Sequence, residues 1–404
     1  MNAIMSGAPP RAAPAVSDLR PEAAGLPESG IVRVVNHGRG RQGLIPLWVG
    51  EGALPTPSFI RDEAVRSLAA GETFYTHQRG VPETREAITR YMTRHYGGAG
   101  STGFAPDRFF VAAGGMHALQ MALRMVLGPG DQAIIPTPAW PNFKGATLAL
   151  GAEPVEVALD YAPSGWRLDF DRLAAAVTPR TRALLVNTPA NPTGWTASFD
   201  DLRGLLALAR RHGLWIVADE IYGRFVHEGE RAPSFHDIAD PDDRVMWIQT
   251  LSKNWAMTGL RVGWLEAPPA FGQTIENLVQ YSTSGVPTPN QRAAAAALDH
   301  GEDFIAFQRA RCAAARAILC EGLSRAGGFD FAPPPGAFYL FLRPHGVADC
   351  AATAIELVDY AGVGLAPGSA FGPGGDGFLR LCYARPAEEI EEAVRRLIAW
   401  SKAR

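Results

Sequence analysis

The chain has 404 residues, 47% of them hydrophobic, and its 38 basic and 41 acidic side chains leave a formal net charge of −3. That length fits two or three domains, or one large domain with a smaller companion, and the composition supports a sizeable core. Scattered basic residues give no electrostatic case for nucleic acid, and no apolar run approaches the roughly 18 residues that span a bilayer. A small-molecule partner is the expectation. Cys312, Cys320, Cys350 and Cys382 form no Cys-x-x-Cys pair and have no neighbouring histidine cluster. Neither a metal site nor a disulfide framework is therefore expected, and reduced thiols in a cytoplasm are.

Residues 1–29 are rich in Ala and Pro, lack hydrophobic periodicity and carry Asp18, Glu22 and Glu28, whereas an organellar transit segment is poor in acids. They read as a flexible N-terminal arm. Residues 30–55 read as a segment joining a small domain to a substrate loop. Short apolar runs then recur at Phe109 to Ala113, Gln132 to Pro136, Pro154 to Ala158, Ala183 to Asn187, Leu214 to Ala218, Val245 to Gln249 and Val262 to Glu266. Helical patterns separate them, one of them closed by Thr178-Pro179. Another, Phe199 to His212, places Leu202, Leu205, Leu206 and Ala209 at helical spacing before Gly213. This alternation predicts an α/β large domain over 56–289, with a mostly parallel sheet wrapped by helices. From 290 to 404 the pattern predicts a smaller α+β domain: a helical tract from Gln291 through Arg325, strands at Ala337 to Leu342 and Phe378 to Tyr383, and helices near Ala352 to Ala361 and Pro386 to Ala403.

In open sheets of this kind, chemistry gathers at the carboxyl ends of the strands. The unusual polar residues fall there: Gly114-Gly115, Asn187, Asp219-Glu220 and Thr250. Just beyond Thr250 lies Lys253, an amine among Leu251, Trp255 and Met257. Desolvation there lowers an ammonium's pKa and frees a nucleophile that can add to an aldehyde, although a lysine beside Gly259-Leu260-Arg261-Val262-Gly263 also fits a surface turn. Gly114-Gly115-Met116 opens a helix, and amides at a helix N-terminus bind phosphate, with Arg261, Thr250 and Ser252 available nearby. Asp219 ends an apolar strand, so it needs a partner; a helix N-cap or a protonated ring nitrogen would serve. Arg380 sits in the apolar run Phe378 to Tyr383, where a salt bridge and bidentate capture of a carboxylate are both open.

The segment Thr250-Leu251-Ser252-Lys253 through Arg261-Val262-Gly263 resembles the cofactor-lysine motif of the class I/II aminotransferases. Further motifs follow in family order: Gly50-Glu51, Tyr75, Gly114-Gly115, Trp140, Asn191-Pro192-Thr193-Gly194, Asp219-Glu220-Ile221-Tyr222, Lys253 and Arg380-Leu381-Cys382-Tyr383-Ala384. The resemblance runs from about residue 30 to the C-terminus. It implies the aspartate aminotransferase superfamily and fold type I, with a seven-stranded sheet and pyridoxal 5'-phosphate as cofactor.

Residue by residue, the resemblance implies that Lys253 carries the cofactor and moves protons. Asp219 holds the ring nitrogen, Tyr222 and Asn191 face the ring oxygen, and Trp140 stacks on the ring. Gly114, Gly115, Met116, Thr250, Ser252 and Arg261 surround the phosphate, and Arg380 and Gly50, with Asn191, meet the substrate carboxylate. Gly52 replaces the family's usual proline in the Gly50 loop. Tyr75 resembles the tyrosine that reaches the neighbouring subunit's phosphate, which implies a homodimer with shared sites.

Ping-pong transfer of an amino group between an amino acid and a 2-oxo acid is the activity implied. A pyridoxal-phosphate lyase acting by β- or γ-elimination is the alternative on this scaffold, and a cofactor-binding sensor module would need an N-terminal helix-turn-helix, for which residues 1–29 are too short and too Pro-rich. Some aspartate aminotransferases of the family carry a Gly-Gly-Lys where this chain has Gly114-Gly115-Met116, and the loop Tyr281 to Thr288 lacks the arginine that others supply there. Neutral or apolar donors are therefore expected over aspartate, with Met116 or Trp140 lining the side-chain pocket; Arg39, Arg79 or His77 could restore a charge.

Overall fold

The computed structural model describes residues 14–97 and 103–404, so residues 1–13 of the expected arm lie outside the described residues. The seven apolar runs form one sheet. In spatial order its strands are Phe109–Ala112, Gly263–Glu266, Val245–Thr250, Trp215–Asp219, Thr181–Asn187, Gln132–Thr137 and Glu153–Ala158. Only Gly263–Glu266 runs against its neighbours; the remaining pairs are parallel. Most strands are buried on both faces, as wrapping by helices requires, and this is why their sequences read as continuous apolar runs. The helix Phe199–His212 is fixed at both ends, by a capping box between Ser198 and Asp201 and by Gly213 in the left-handed conformation.

Because Phe109–Ala112 points the same way as the parallel strands, the chain leaves Ala112, Thr137, Asn187, Asp219 and Thr250 at a single sheet edge. A second sheet of four antiparallel strands runs Phe329–Phe331, Tyr339–Pro344, Leu379–Cys382, Ala366–Pro367. The helices Glu302–Ala326 and Ala387–Lys402 pack together beside it. Ile45–Pro46 pairs with Val363–Gly364 and ties the N-terminal segment to this unit.

Four details differ from the sequence expectation. The tract from Gln291 through Arg325 is two helices, Thr288–His300 and Glu302–Ala326, broken at Gly301, where a Cβ would collide with the Trp255 indole. The first packs on the helices Ser58–Ala69 and Pro82–Tyr96, and the packing partner changes at Gly301. The strand expected from Ala337 begins at Tyr339, because Ala337 has φ 57° and cannot extend the ladder. Helix Phe170–Ala175 ends ahead of Thr178-Pro179, and residues 26–29 of the arm line a cavity with the helix Pro141–Ala149.

Candidate active site

A cavity of about 670 Å³ opens at the sheet edge, between the large sheet and the four-stranded unit. Gly50, Gly115, Met116, Trp140, Asn191 and Asp219 line it, together with Tyr222, Thr250, Ser252, Lys253, Arg261 and Arg380. Gly114 lies just outside, with φ 80° and so close to the Arg261 guanidinium that a Cβ there would collide with it. Tyr75 is not among the lining residues; it is 94% exposed, near Phe74 at 85%.

Local structure explains most of these placements. Thr250 caps the short helix Leu251–Asn254, accepting from the Ser252 amide at 3.2 Å, with its hydroxyl 2.9 Å from that of Ser252. One turn on, Lys253 Nζ donates to the Gly50 carbonyl at 2.6 Å. Burial lowers this amine to about pKa 8, helped by the positive charges of Arg380 and Arg261. Arg261 takes a left-handed conformation, donates to the Thr258 carbonyl at 2.8 Å, and has no carboxylate partner among the described residues.

Asp219 is 3% exposed, and among the described residues its carboxylate accepts one hydrogen bond, from the Ile221 amide at 3.3 Å. Burial raises it to about pKa 7, against the opposing pull of that amide and of Lys253. Asp219 and Lys253 thus share a cavity with their pKa values driven toward each other, a pattern found where acid–base chemistry is done. The Asp219 backbone carbonyl is also used, accepting from the Asn187 amide group at 3.0 Å and the Thr188 N–H at 3.0 Å. Asn187 Oδ1 in turn accepts from the Asn191 N–H at 2.8 Å, which seats the Asn191 turn beside Asp219.

Arg380 is 2% exposed; its Nη1 donates to Asn191 Oδ1 at 2.8 Å and its Nη2 to the Trp48 carbonyl. Among the described residues it pairs with no acid, and Nε is buried without a partner. The salt bridge left open by the sequence does not form.

Several cavity residues escaped the sequence reading. Tyr339 lines it with its hydroxyl 2.6 Å from that of Tyr222, across 117 positions of sequence. Ile31, Val32 and Val35 of the helix Gly30–Gly38 form an apolar wall, with Asn36 and Arg39 on the same helix edge. An apolar helix face is legible in sequence; what it packs against is not. Among the described residues no cluster of His, Cys, Asp or Glu is placed to hold a metal ion, and no helix is long and apolar enough to cross a membrane.

A cavity at the carboxyl ends of a mostly parallel sheet, holding a desolvated lysine, a buried aspartate and an unpaired arginine, defines a group-transfer enzyme of the fold type I class. Residues 43–397 match the family described as aminotransferase class I and II, and the chain belongs to that family. It is an aminotransferase, and enzymes of this family use pyridoxal 5'-phosphate. The aspartate aminotransferase of Rhizobium meliloti is 33% identical, with 88% of each chain covered. Aromatic-amino-acid aminotransferase 2 of Thermococcus litoralis is 32% identical over 91% of this chain and 94% of its own. Among solved structures, a mutant aspartate aminotransferase of Thermus thermophilus superimposes with a TM-score of 0.87 at 32% identity, covering 94% of this chain and 99% of that one. The aromatic aminotransferase of Pyrococcus horikoshii gives 0.84 at 31% identity, covering 92% and 99%.

Proposed function

We propose that this chain moves an amino group between an amino acid and a 2-oxo acid by a ping-pong mechanism, using pyridoxal 5'-phosphate held by the cavity residues. The observation that carries this reading is the convergence of Lys253, Asp219 and Arg380 on one cavity, none of them in a salt bridge among the described residues.

The residues present fit the cofactor. Asp219 is a buried carboxylate with no salt-bridge partner among the described residues, and a protonated ring nitrogen supplies one. Gly114, Gly115 and Met116 open a helix beside Arg261, Thr250 and Ser252, a combination of amides, guanidinium and hydroxyls suited to a phosphate. Tyr222 and the Asn191 amide offer donors for a ring oxygen, and Trp140 offers an apolar face. When bound, pyridoxal phosphate supplies an electron sink for the Cα–H bond and a carbon that carries the amino group between half-reactions.

The chain's own residues do the rest. Arg380 binds the substrate carboxylate through its planar fork, with Asn191 and the Gly50 loop fixing the fork's plane, and so orients the Cα–H bond for cleavage. Lys253, its pKa lowered to about 8 by burial, takes the Cα proton as a general base and returns a proton as a general acid. Asp219 keeps its negative charge only while a cation faces it.

The same proposal includes a homodimer in which exposed Tyr75 completes the partner's site, and a cytoplasmic setting, as the cysteine pattern suggests. Its domains are an arm over 1–29, a joining segment over 30–55, a cofactor domain over 56–289 and a small domain over 290–404, with helix Thr288–His300 lying across the last boundary. Apolar or neutral donors are favoured by the wall of Ile31, Val32, Val35 and Met116. Relatives named for both aspartate and aromatic amino acids are compatible with either donor type. A stoichiometric oxo-acid product without ammonia in a single half-reaction supports transfer; release of ammonia in proportion to oxo acid favours the lyase alternative.

A further inference from the structure

The Tyr222 and Tyr339 rings stand at 84° with hydroxyls 2.6 Å apart, and both residues are buried. Among the described residues neither hydroxyl has another hydrogen-bond partner, and both side chains line the cavity. Two hydroxyls carry two hydrogens, and only one can lie between them. The other is left for a ligand oxygen.

Which hydroxyl keeps the spare hydrogen depends on how each is held. Tyr339 stands on the strand Tyr339–Pro344, paired in register with Cys382. Its hydroxyl is pressed against Gly50, where a Cβ would collide with it, and the Arg380 guanidinium lies 4.8 Å from its ring centroid. Phe371 faces the same guanidinium at 5.0 Å. Tyr339 therefore has little freedom to turn toward a ligand, whereas Tyr222 stands three residues after Asp219, in the turn at the sheet edge.

We propose that Tyr339 is a positioning residue: it donates its hydrogen to Tyr222 Oη, which commits the Tyr222 hydrogen to the ligand oxygen in the cavity, while its ring seats the Arg380 guanidinium. One side chain thus aligns the phenol on the cofactor side with the arginine on the substrate side. The inference rests on the reading of Tyr222 as a donor to the cofactor's ring oxygen. Burial holds both phenols above the ordinary tyrosine value, so both hydrogens remain in place at working pH. The charged or titratable groups acting on Tyr339 are Arg380, Cys382 and Asp219, with Tyr222 itself. A hydroxyl that accepts one hydrogen bond becomes a better donor of the next.

The test compares Tyr339→Phe, Tyr339→Leu and Tyr222→Phe, each loaded with pyridoxal phosphate, by titrating the absorbance of the bound cofactor with pH. A donor to the ring oxygen favours its deprotonated form, so weakening the donor moves the midpoint up. Tyr339→Phe keeps the ring and loses the hydrogen: its midpoint is expected to rise by about 0.5 to 1 pH unit, in the same direction as Tyr222→Phe, with KM for the donor within about twofold of the parent. Tyr339→Leu also removes the seat of Arg380 and is expected to raise KM by about tenfold. A midpoint unchanged in Tyr339→Phe but raised in Tyr222→Phe overturns this inference and leaves the site reading standing. Unchanged midpoints in both overturn the site reading at Tyr222 and the inference with it.

Discussion

Arg380 Nη1 donates to Asn191 Oδ1 at 2.8 Å, joining the four-stranded sheet of the small unit to a turn at the edge of the large one. The bond fixes the plane of the guanidinium and leaves the Asn191 NH2 without a protein acceptor among the described residues. Arg380→Lys keeps the charge but loses the fork and one of its anchors. A fall in kcat/KM of about 100- to 1000-fold, carried by both half-reactions, is the expected outcome, equivalent to about 3–4 kcal/mol. Steady-state kinetics with varied donor and acceptor would check it; a change confined to one substrate would count against carboxylate binding at this position.

Asp219→Asn removes a charge while keeping shape. In the loaded enzyme, cofactor binding should survive while Cα deprotonation slows by on the order of 100-fold or more, readable in single half-reactions. Rates within a few fold of the parent would reduce Asp219 to a cap.

The cofactor-free protein offers a separate test of the same residue. Its carboxyl sits at about pKa 7 in the fold against 3.8 for a solvent-exposed aspartate, so the folded state holds a proton that the unfolded chain gives up. Stability from this group is whole below about pH 4, declines as pH rises through the interval up to about 7, and stays lost above it. Three pKa units at about 1.4 kcal/mol each set an upper bound of about 4 kcal/mol. Without cofactor, Asp219→Asn should therefore gain on the parent in thermal stability as pH rises from 4 to 7, then hold a constant margin. A margin that does not vary with pH would show that Asp219 already has a cation.

How much of this was legible before the structure depends on range. Strands buried on both faces write themselves as apolar runs, and each run here falls in the large sheet. Lys253, Asp219 and Arg380 stand out because a charge inside an apolar segment needs a reason, and the motif order supplied one. Tyr339 gave no such signal: a tyrosine in an apolar strand is ordinary, and its meaning comes from a hydroxyl 117 positions away. The break at Gly301 was hidden by helical patterns on both sides, since what excludes a side chain there, the Trp255 ring and the Ala297 carbonyl, is met only in space. The wall from Gly30–Gly38 was hidden for the same reason.

Tyr75 is 94% exposed in the single chain, a large cost for an aromatic ring unless a second copy covers it. Mixing a Lys253→Ala chain with a Tyr75→Phe chain should restore about a quarter of parental activity if sites are shared, because one site of each hybrid is then intact. Lys253→Ala mixed with Arg261→Ala should restore none. Failure of the Tyr75 pair under verified subunit exchange would place each site within one chain.

Donor choice turns on the helix Gly30–Gly38. Arg79 is engaged by Glu276 and does not line the cavity, which removes one of the charges that could favour aspartate. Arg39 does line it, and among the described residues its guanidinium donates to Asn36 Oδ1 alone, at 3.0 Å. With Ile31, Val32 and Val35 beside it, leucine, methionine or phenylalanine should give higher kcat/KM than aspartate under one acceptor. An aspartate value tenfold or more above leucine, methionine, phenylalanine and alanine, about 1.4 kcal/mol of preference, would reject the apolar reading. Loss of that aspartate preference in Arg39→Ala would then name the cause.

Lys253 is the residue proposed to form the bond to pyridoxal phosphate. The loaded protein, reduced with borohydride and digested, should carry the pyridoxyl group on one peptide, at Lys253, while Lys253→Ala binds cofactor without becoming labelled and loses turnover by at least about 1000-fold. A label on Lys144 or Lys402, or an unlabelled parent that still transaminates, would contradict this role for Lys253.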